Sequence, residues 1–431
     1  MALSSLSIYR QLLDDPVIKK FYDLISYLCT GTDPVIFLNL YNELFFTLAS
    51  SNTSLASYIM DLIIFDDNPF SHCCTKGENC ELLEDAARRD LKCLQFALEI
   101  TPTVIKTQAK ILCNLETKEL AGLPEWEDWS NSQCSSGLQT KIKETLYSSG
   151  SWGECLPALK KFYPEVGAGI FACYYAFTWE RAANSGFFKG IASPDPVRLK
   201  DLFGYEEERS EILENTQQFL KGYPANNVLL YGDRGTGKSS TVKAIVNEYH
   251  PRGLRIIEVP KNYLGDFPEI TRELRERSQR FIIFVDDLTF EDSTENYTAL
   301  KAVLEGGLES RPANVLIYAT SNRRHLVKES FSDRAFSLDE DTGEIHESDS
   351  IQEKLSLADR FGITVIFTAP DQEQYLEIIE AIAKQRNIQI AREKLHREAL
   401  RWATRHNGRS PRTARQFIDW LEGAVCCTPH G

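Results

Sequence analysis

Residues 232–239 read Gly-Asp-Arg-Gly-Thr-Gly-Lys-Ser. This is the pattern G-x-x-x-x-G-K-[ST], whose chemistry is the wrapping of a nucleotide's phosphates. Gly235 and Gly237 allow backbone geometry that side chains block, so successive amides can point at phosphate oxygens. Gly232 opens the loop, and Asp233, Arg234 and Thr236 occupy its variable positions. Lys238 is placed to reach the β- and γ-phosphates of ATP, and the Ser239 hydroxyl to ligate Mg²⁺. Ser240 follows in the first turn of a helix whose N-terminus adds the positive end of its dipole. A chance match to all four fixed positions is expected in only about one or two chains per hundred of this length.

A second chemical element lies about fifty residues on. Phe281–Val285 is an apolar run that ends in Asp286 and Asp287. An acid at the end of such a strand holds the Mg²⁺ shell in phosphoryl-transfer sites, which assigns Asp286 beside Ser239 as a metal residue. Asp287 is then positioned to polarise the attacking water, with Glu291 as a substitute. Taken alone, the two acids would read as a solvated strand end.

These residues must be carried by a scaffold. Asn227–Tyr231, Leu254–Val259, Phe281–Val285, Asn314–Ala319 and Ile363–Phe367 read as short apolar strands. Ser239–Tyr249, Ile270–Arg280 and Tyr297–Leu308 read as the helices between them. Such alternation predicts an α/β fold, a parallel sheet sandwiched by helices. Only helical patterns follow from Gln372 to Gly423, which predicts a small α-helical lid. Ser337–Ser350 is acidic and reads as an exposed loop. Residues 1 to about 185 instead space their apolar residues by three and four, as in Asp15–Leu28, Asn39–Leu48 and Asp85–Leu98. That spacing predicts a mainly α-helical N-terminal domain. Ile191–Pro196, with two prolines, reads as a linker. The expected domains are therefore 1–190, a nucleotide-binding core at 191–369, and a lid at 370–425.

Lys plus Arg number 48 against 62 for Asp plus Glu, a net charge of −14. That balance disfavours a general, charge-driven binder of nucleic acid or anionic membranes, without excluding a local basic channel. No run of about 18 uncharged apolar residues appears, so no membrane insertion is expected. The first twenty residues lack the regions of a signal peptide. Eleven cysteines, nine of them before residue 190, read as reduced thiols of a cytoplasmic protein.

The order of parts resembles the AAA+ P-loop ATPases, and within them an uncharacterised bacterial family, DUF815. The resemblance covers roughly residues 195–425 and rests on Leu202–Tyr205, Ala225–Gly232, the phosphate loop, Asp286–Glu291, Tyr318–Leu326 and Ser356–Gly362. A looser likeness is to helicase loaders of the DnaC and IstB type. The resemblance implies further roles. Asn322, with Thr320 and Ser321 as rivals, is similar to sensor 1, which helps orient the water. Arg360 resembles an arginine finger reaching a neighbouring subunit's nucleotide in a homo-oligomer, with Arg334 as the alternative. In Gly408–Arg415, Ser410 can cap a helix opened by Pro411. Arg412 then resembles sensor 2, and Arg409 and Arg415 stay open. Phe203 and Tyr205 match the segment that packs on the adenine base. Many such ATPases carry Glu where this chain has Asp287, which leaves the base between Asp287 and Glu291.

The implied activity is Mg²⁺-dependent ATP hydrolysis coupled to remodelling of a protein or nucleic-acid target chosen by the N-terminal domain. The alternative is a non-hydrolysing nucleotide switch. A small-molecule P-loop kinase is weaker, because sensor and finger positions stand where an acceptor pocket would. His72, Cys73, Cys74 and Cys80 do not have the spacing of a zinc clamp, and Cys426-Cys427 make a poor one. Phe162-Tyr163, Phe171–Phe177 and Phe187-Phe188 read as core or a docking surface. Arg272–Arg280 reads as a solvated basic helix face, a DNA-facing helix being the sharper alternative.

Overall fold

A computed structural model describes residues 2–115, 117–126, 137–182, 185–288, 304, 311–322, 360–406 and 408–426. The chain divides into two compact units, Met1–Cys173 and Tyr174–Gly431.

The first unit is helical: α1 (Pro16–Thr30), α2 (Pro34–Ser51), α3 (Leu55–Phe65), α4 (Pro69–Lys76), α5 (Glu81–Leu98), α6 (Pro102–Leu112), α7 (Thr117–Ala121), α8 (Gly137–Ser148), α9 (Leu156–Val166) and α10 (Ile170–Cys173). Local sequence sets the starts. Asp15 accepts from the amides of Val17 and Ile18 while Pro16 opens α1; Asn68 and Ser71 form a capping box on α4. Apolar residues at helical spacing, such as Phe21, Leu24 and Leu28, enter a core with Phe37, Tyr41, Phe162 and Tyr163. Asp90 is fully buried. It is satisfied by the backbone amides of Ser7, Ile8 and Tyr9.

The reading of all cysteines as reduced needs correction, because Cys73 and Cys80 form a disulfide across the α4–α5 turn. His72 instead pairs with Asp67 at 2.6 Å. Among the described residues no cluster of three or more His, Cys, Asp and Glu side chains is placed to hold a metal ion. Among those residues, too, no helix is long and apolar enough to cross a membrane.

The second unit carries a seven-stranded sheet in the order β2-β1-β4-β5-β6-β3-β7. The strands are β1 (Ala176–Ala182), β2 (Ser185–Gly190), β3 (Val228–Gly232), β4 (Leu254–Glu258), β5 (Arg280–Val285), β6 (Val315–Ser321) and β7 (Ile363–Phe367). All pairings are parallel except the β1–β2 hairpin. Helices α11 (Glu206–Leu220), α12 (Lys238–Tyr249) and α13 (Phe267–Leu274) connect them. The lid is α14 (Gln372–Gln385), α15 (Arg392–Arg405) and α16 (Pro411–Cys426), closed around Tyr375, Ile379, Phe417 and Ile418. The central strands β5 and β6 are buried along almost their whole length, as strands covered on both faces must be.

Two boundaries differ from expectation. The unit edge falls at Cys173–Tyr174 instead of residue 190, because Ala176–Thr178 pairs with Ile256–Glu258 and draws the hairpin into the sheet. The segment 191–196 is consequently a strap within this unit, held by Asn247 Nδ2 donating to the carbonyls of Asp195 and Val197. The helix expected over Ile270–Arg280 runs instead from Phe267 to Leu274. Pro268 fits its first turn, and Arg280 already opens β5, so Arg272–Arg280 is no continuous helical face. The helix expected over Tyr297–Leu308 lies, apart from residue 304, outside the described residues, as does Ser337–Ser350.

Candidate functional site

Strands β5, β6 and β3 are neighbours and run in one direction, so the residues after each meet at one edge of the sheet. Phosphate loop, acid pair and Asn322 all follow these strands. Ligands of open parallel sheets bind at this carboxyl edge.

The loop has the geometry its glycines foretold, with positive φ at Gly235 (78°) and Gly237 (95°). Lys238 is buried, 5% exposed. Its Nζ donates to the carbonyls of Gly232 (3.0 Å) and Asp233 (2.7 Å). Burial pulls the Lys238 ammonium down to about 8, against the upward pull of Asp233, Asp286 and Asp287. Asp233 accepts from the amide of Ala369 (2.7 Å), and Thr236 Oγ1 donates to the Asp233 carbonyl (2.8 Å).

Ser239 Oγ donates to Asp286 Oδ1 at 2.6 Å, as does Thr320 Oγ1 at 2.6 Å. Hydroxyl and carboxylate oxygens thus converge beside the loop, a hard-oxygen donor set that suits Mg²⁺. Thr320 Oγ1 also accepts from the amide of Asp287 (2.8 Å), and the Leu288 amide donates to the Thr320 carbonyl (2.7 Å). These bonds hold Asp287 in the left-handed region, φ 53°. An Asp there is uncommon and concentrates at functional sites. Asn322 Nδ2 donates to Asp287 Oδ1 at 2.5 Å. Lys261 Nζ stands 3.8 Å from Asp287 Oδ2.

The lid closes the other side. Ser410 Oγ accepts from the amide of Thr413 (3.1 Å), the cap expected ahead of Pro411. The Arg412 amide donates to the Gly235 carbonyl at 3.1 Å, which seats the first turn of α16 on the phosphate loop. The resulting cleft of about 610 Å³ is lined by Arg234, Gly235, Gly237, Lys238, Ser239, Ser240, Asp286, Asp287, Asn322, Arg412 and Arg415. Arg415 also donates to the Asp201 carbonyl (3.0 Å); Arg409 does not line the cleft.

Phe203 and Tyr205 line a second cleft of about 550 Å³ with Thr368 and Ile378. Phe203 packs on the lid core. Tyr205 packs on the sheet core and donates its hydroxyl to the Thr368 carbonyl at 2.6 Å. Arg360 stands before β7, at the opposite edge of the sheet from the chain's own phosphate loop. The five-residue β7 separates those edges by about 16 Å at ~3.3 Å per residue. Glu291 and Arg334 lie outside the described residues.

Sequence reasoning ranked Thr320 only as a rival of Asn322, although it ties both acids together. Lys261 was missed. Its signal was its place two residues after Val259, just past the carboxyl end of β4.

The strand order, phosphate loop and lid define a P-loop nucleotide-binding protein of the AAA+ class. Within that class the chain belongs to the family described as "Protein of unknown function (DUF815)", whose model matches residues 172–425. It is 31% identical to the proteasome-activating nucleotidase of Methanothermobacter thermautotrophicus over 160 residues, 31% of this chain and 38% of that one. It is 33% identical over 102 residues to a 26S proteasome regulatory subunit 4 homolog of Encephalitozoon cuniculi, 20% of this chain and 24% of that one. The chain thus spans less than two fifths of the length of these curated relatives. A solved structure of the Thermotoga maritima RuvB Holliday junction branch migration motor aligns at 15% identity, with a TM-score of 0.31, over 52% of this chain and 72% of that one.

Proposed function

We propose that this protein is a Mg²⁺-dependent ATPase that works as a homo-oligomer and spends hydrolysis on remodelling a protein or nucleic-acid target. The observation that carries the reading is the convergence of Lys238, the Ser239–Asp286 pair, Asp287 with Asn322, and Arg412 in one cleft.

In this reading the loop amides and Lys238 hold the triphosphate, and Ser239 and Asp286 hold the metal. Bound Mg²⁺ would neutralise charge on the β- and γ-phosphate oxygens. Asp287 and Asn322 orient a water whose oxygen bonds to the γ-phosphorus while the bond to the β–γ bridging oxygen breaks, giving ADP and phosphate. Arg412 in cis and Arg360 from a neighbour stabilise the charge that develops. Phe203 and Tyr205 flank the base. The target is engaged through the N-terminal unit.

The test is binding of a fluorescent ATP analogue alongside phosphate release, both with Mg²⁺. Lys238→Ala should lose binding; Asp287→Asn should bind and not turn over. The shorter Asp287, with one oxygen bonded to Asn322 and the other facing Lys261, favours a second reading, a switch that binds without hydrolysing. Tight binding with no phosphate release from the unaltered protein would select it.

A further inference from the structure

The β1–β2 hairpin stands at the end of the sheet farthest from β7, yet it is tied to the chemistry by a short chain of polar contacts. Trp179 on β1 is fully buried. Its indole Nε1 donates to Asp266 Oδ2 at 2.9 Å, and Arg181 Nη1 donates to Asp266 Oδ1 at 3.1 Å. Asp266 closes a short 3-10 segment, Lys261–Asp266, that leaves the carboxyl end of β4. The first residue of that segment is Lys261, which faces Asp287 Oδ2. One end of the segment is thus fixed to β1 and the other presents a cation to the acid pair.

We propose that the hairpin is the positioning device of Asp287: it holds Asp266, Asp266 anchors residues 261–266, and Lys261 on that segment sets the orientation of the Asp287 carboxylate. This rests on the ATPase reading of the same site. Among the described residues each carboxylate oxygen has one restraint, Asn322 on Oδ1 and Lys261 on Oδ2. Without the second restraint a half-exposed carboxylate is free to turn about its terminal torsion, which is broad and two-fold. Orientation matters here, because the loose transition state of phosphoryl transfer asks such a residue to align a water and little more. Small misplacements at such a site cost up to about a hundredfold in rate. Lys261 is therefore a positioning residue that acts through Asp287.

The experiment is steady-state phosphate release by the full chain with ATP and Mg²⁺, alongside titration with a fluorescent ATP analogue. Lys261→Met should lower kcat roughly tenfold with nucleotide affinity and KM unchanged, and Lys261→Arg should recover most of it. Asp266→Asn keeps an acceptor for Trp179 but loses the Arg181 pair, and should lower kcat by a smaller factor in the same pattern. The decisive variant is Lys261→Met combined with Asp266→Asn. It should be no slower than Lys261→Met alone, since Asp266 acts only through Lys261 and residues that act as a unit are not additive. Wild-type kcat in Lys261→Met, a loss confined to KM, or a multiplicative loss in the double variant overturns the proposal alone. No turnover by the unaltered protein overturns both this proposal and the ATPase reading.

Discussion

Asp66 is a residue whose environment makes its charge expensive. It is buried at the end of α3 and accepts from Asn68 Nδ2 at 2.6 Å. Burial raises its carboxyl to about 6, the Asn68 bond works against that, and Asp67 adds to it. The folded chain therefore binds this proton more tightly than the unfolded chain. Its contribution to stability is fully present below the usual carboxylate range and is lost as pH rises through about 6. Asp66→Asn removes the titration. Denaturant unfolding should show the variant gaining about 1 kcal/mol on the wild type between about pH 5 and about pH 8. A constant difference across that range would show that Asp66 is solvated. The contrast with the phosphate loop shows what was legible at this scale. Gly232–Ser239 carries its chemistry in contiguous residues, so spacing alone revealed it. Asp66 is made costly by its burial in the folded helical core, and Thr320 acts through Asp287, 33 residues away; no local pattern marks either, and Lys261 was marked only by its place past the end of β4.

Elements show the same division. Strands β3, β5 and β6 were readable because burial on both faces demands continuous apolar runs, and the edge strand β7, exposed at Thr364 and Ile366, by its β-branched residues; their bounds shifted by two residues or fewer. The hairpin was not read. Its first strand alternates only in part and follows the aromatic run from Phe171 to Phe177, so its membership of the sheet rests on pairing with β4, about eighty residues on in sequence. One glycine makes the hairpin testable as an element. A Cβ at Gly186 would fall 1.8 Å from Trp179 Cζ2. Gly186→Ala must therefore displace the indole, and with it the bond to Asp266. Overpacking of this kind costs typically 1–3 kcal/mol, about that much here. Thermal unfolding should register the loss. If the hairpin positions Asp287, the folded variant should also turn over more slowly at unchanged nucleotide affinity. The lid offers a simpler check. Asp371 caps α14 with its side chain bonded to the Gln374 amide at 2.9 Å, and Asp371→Ala should cost about 1 kcal/mol.

At the scale of the whole molecule, the role of the N-terminal unit was not legible, because most of its apolar residues build its own core and exposed ones such as Phe46, Leu82 and Ile111 belong to no motif. What was legible is the proposed division of labour between neighbouring chains. Lys238 lies at the carboxyl edge of the sheet and Arg360 at the amino edge, with β7 between them. If Arg360 is the finger, it serves a neighbour's nucleotide, and that makes a prediction no single variant can. Lys238→Ala and Arg360→Ala should each be inactive when assayed separately. Mixed in equal amounts and allowed to reassemble, they form some interfaces that pair an intact phosphate loop with an intact finger. Random mixing gives one working interface in about four, so turnover should return to roughly a quarter of wild type. A finger acting within its own chain predicts no recovery, because every chain in the mixture then lacks one of its two parts. An active Arg360→Ala homo-oligomer would remove Arg360 from the chemistry altogether.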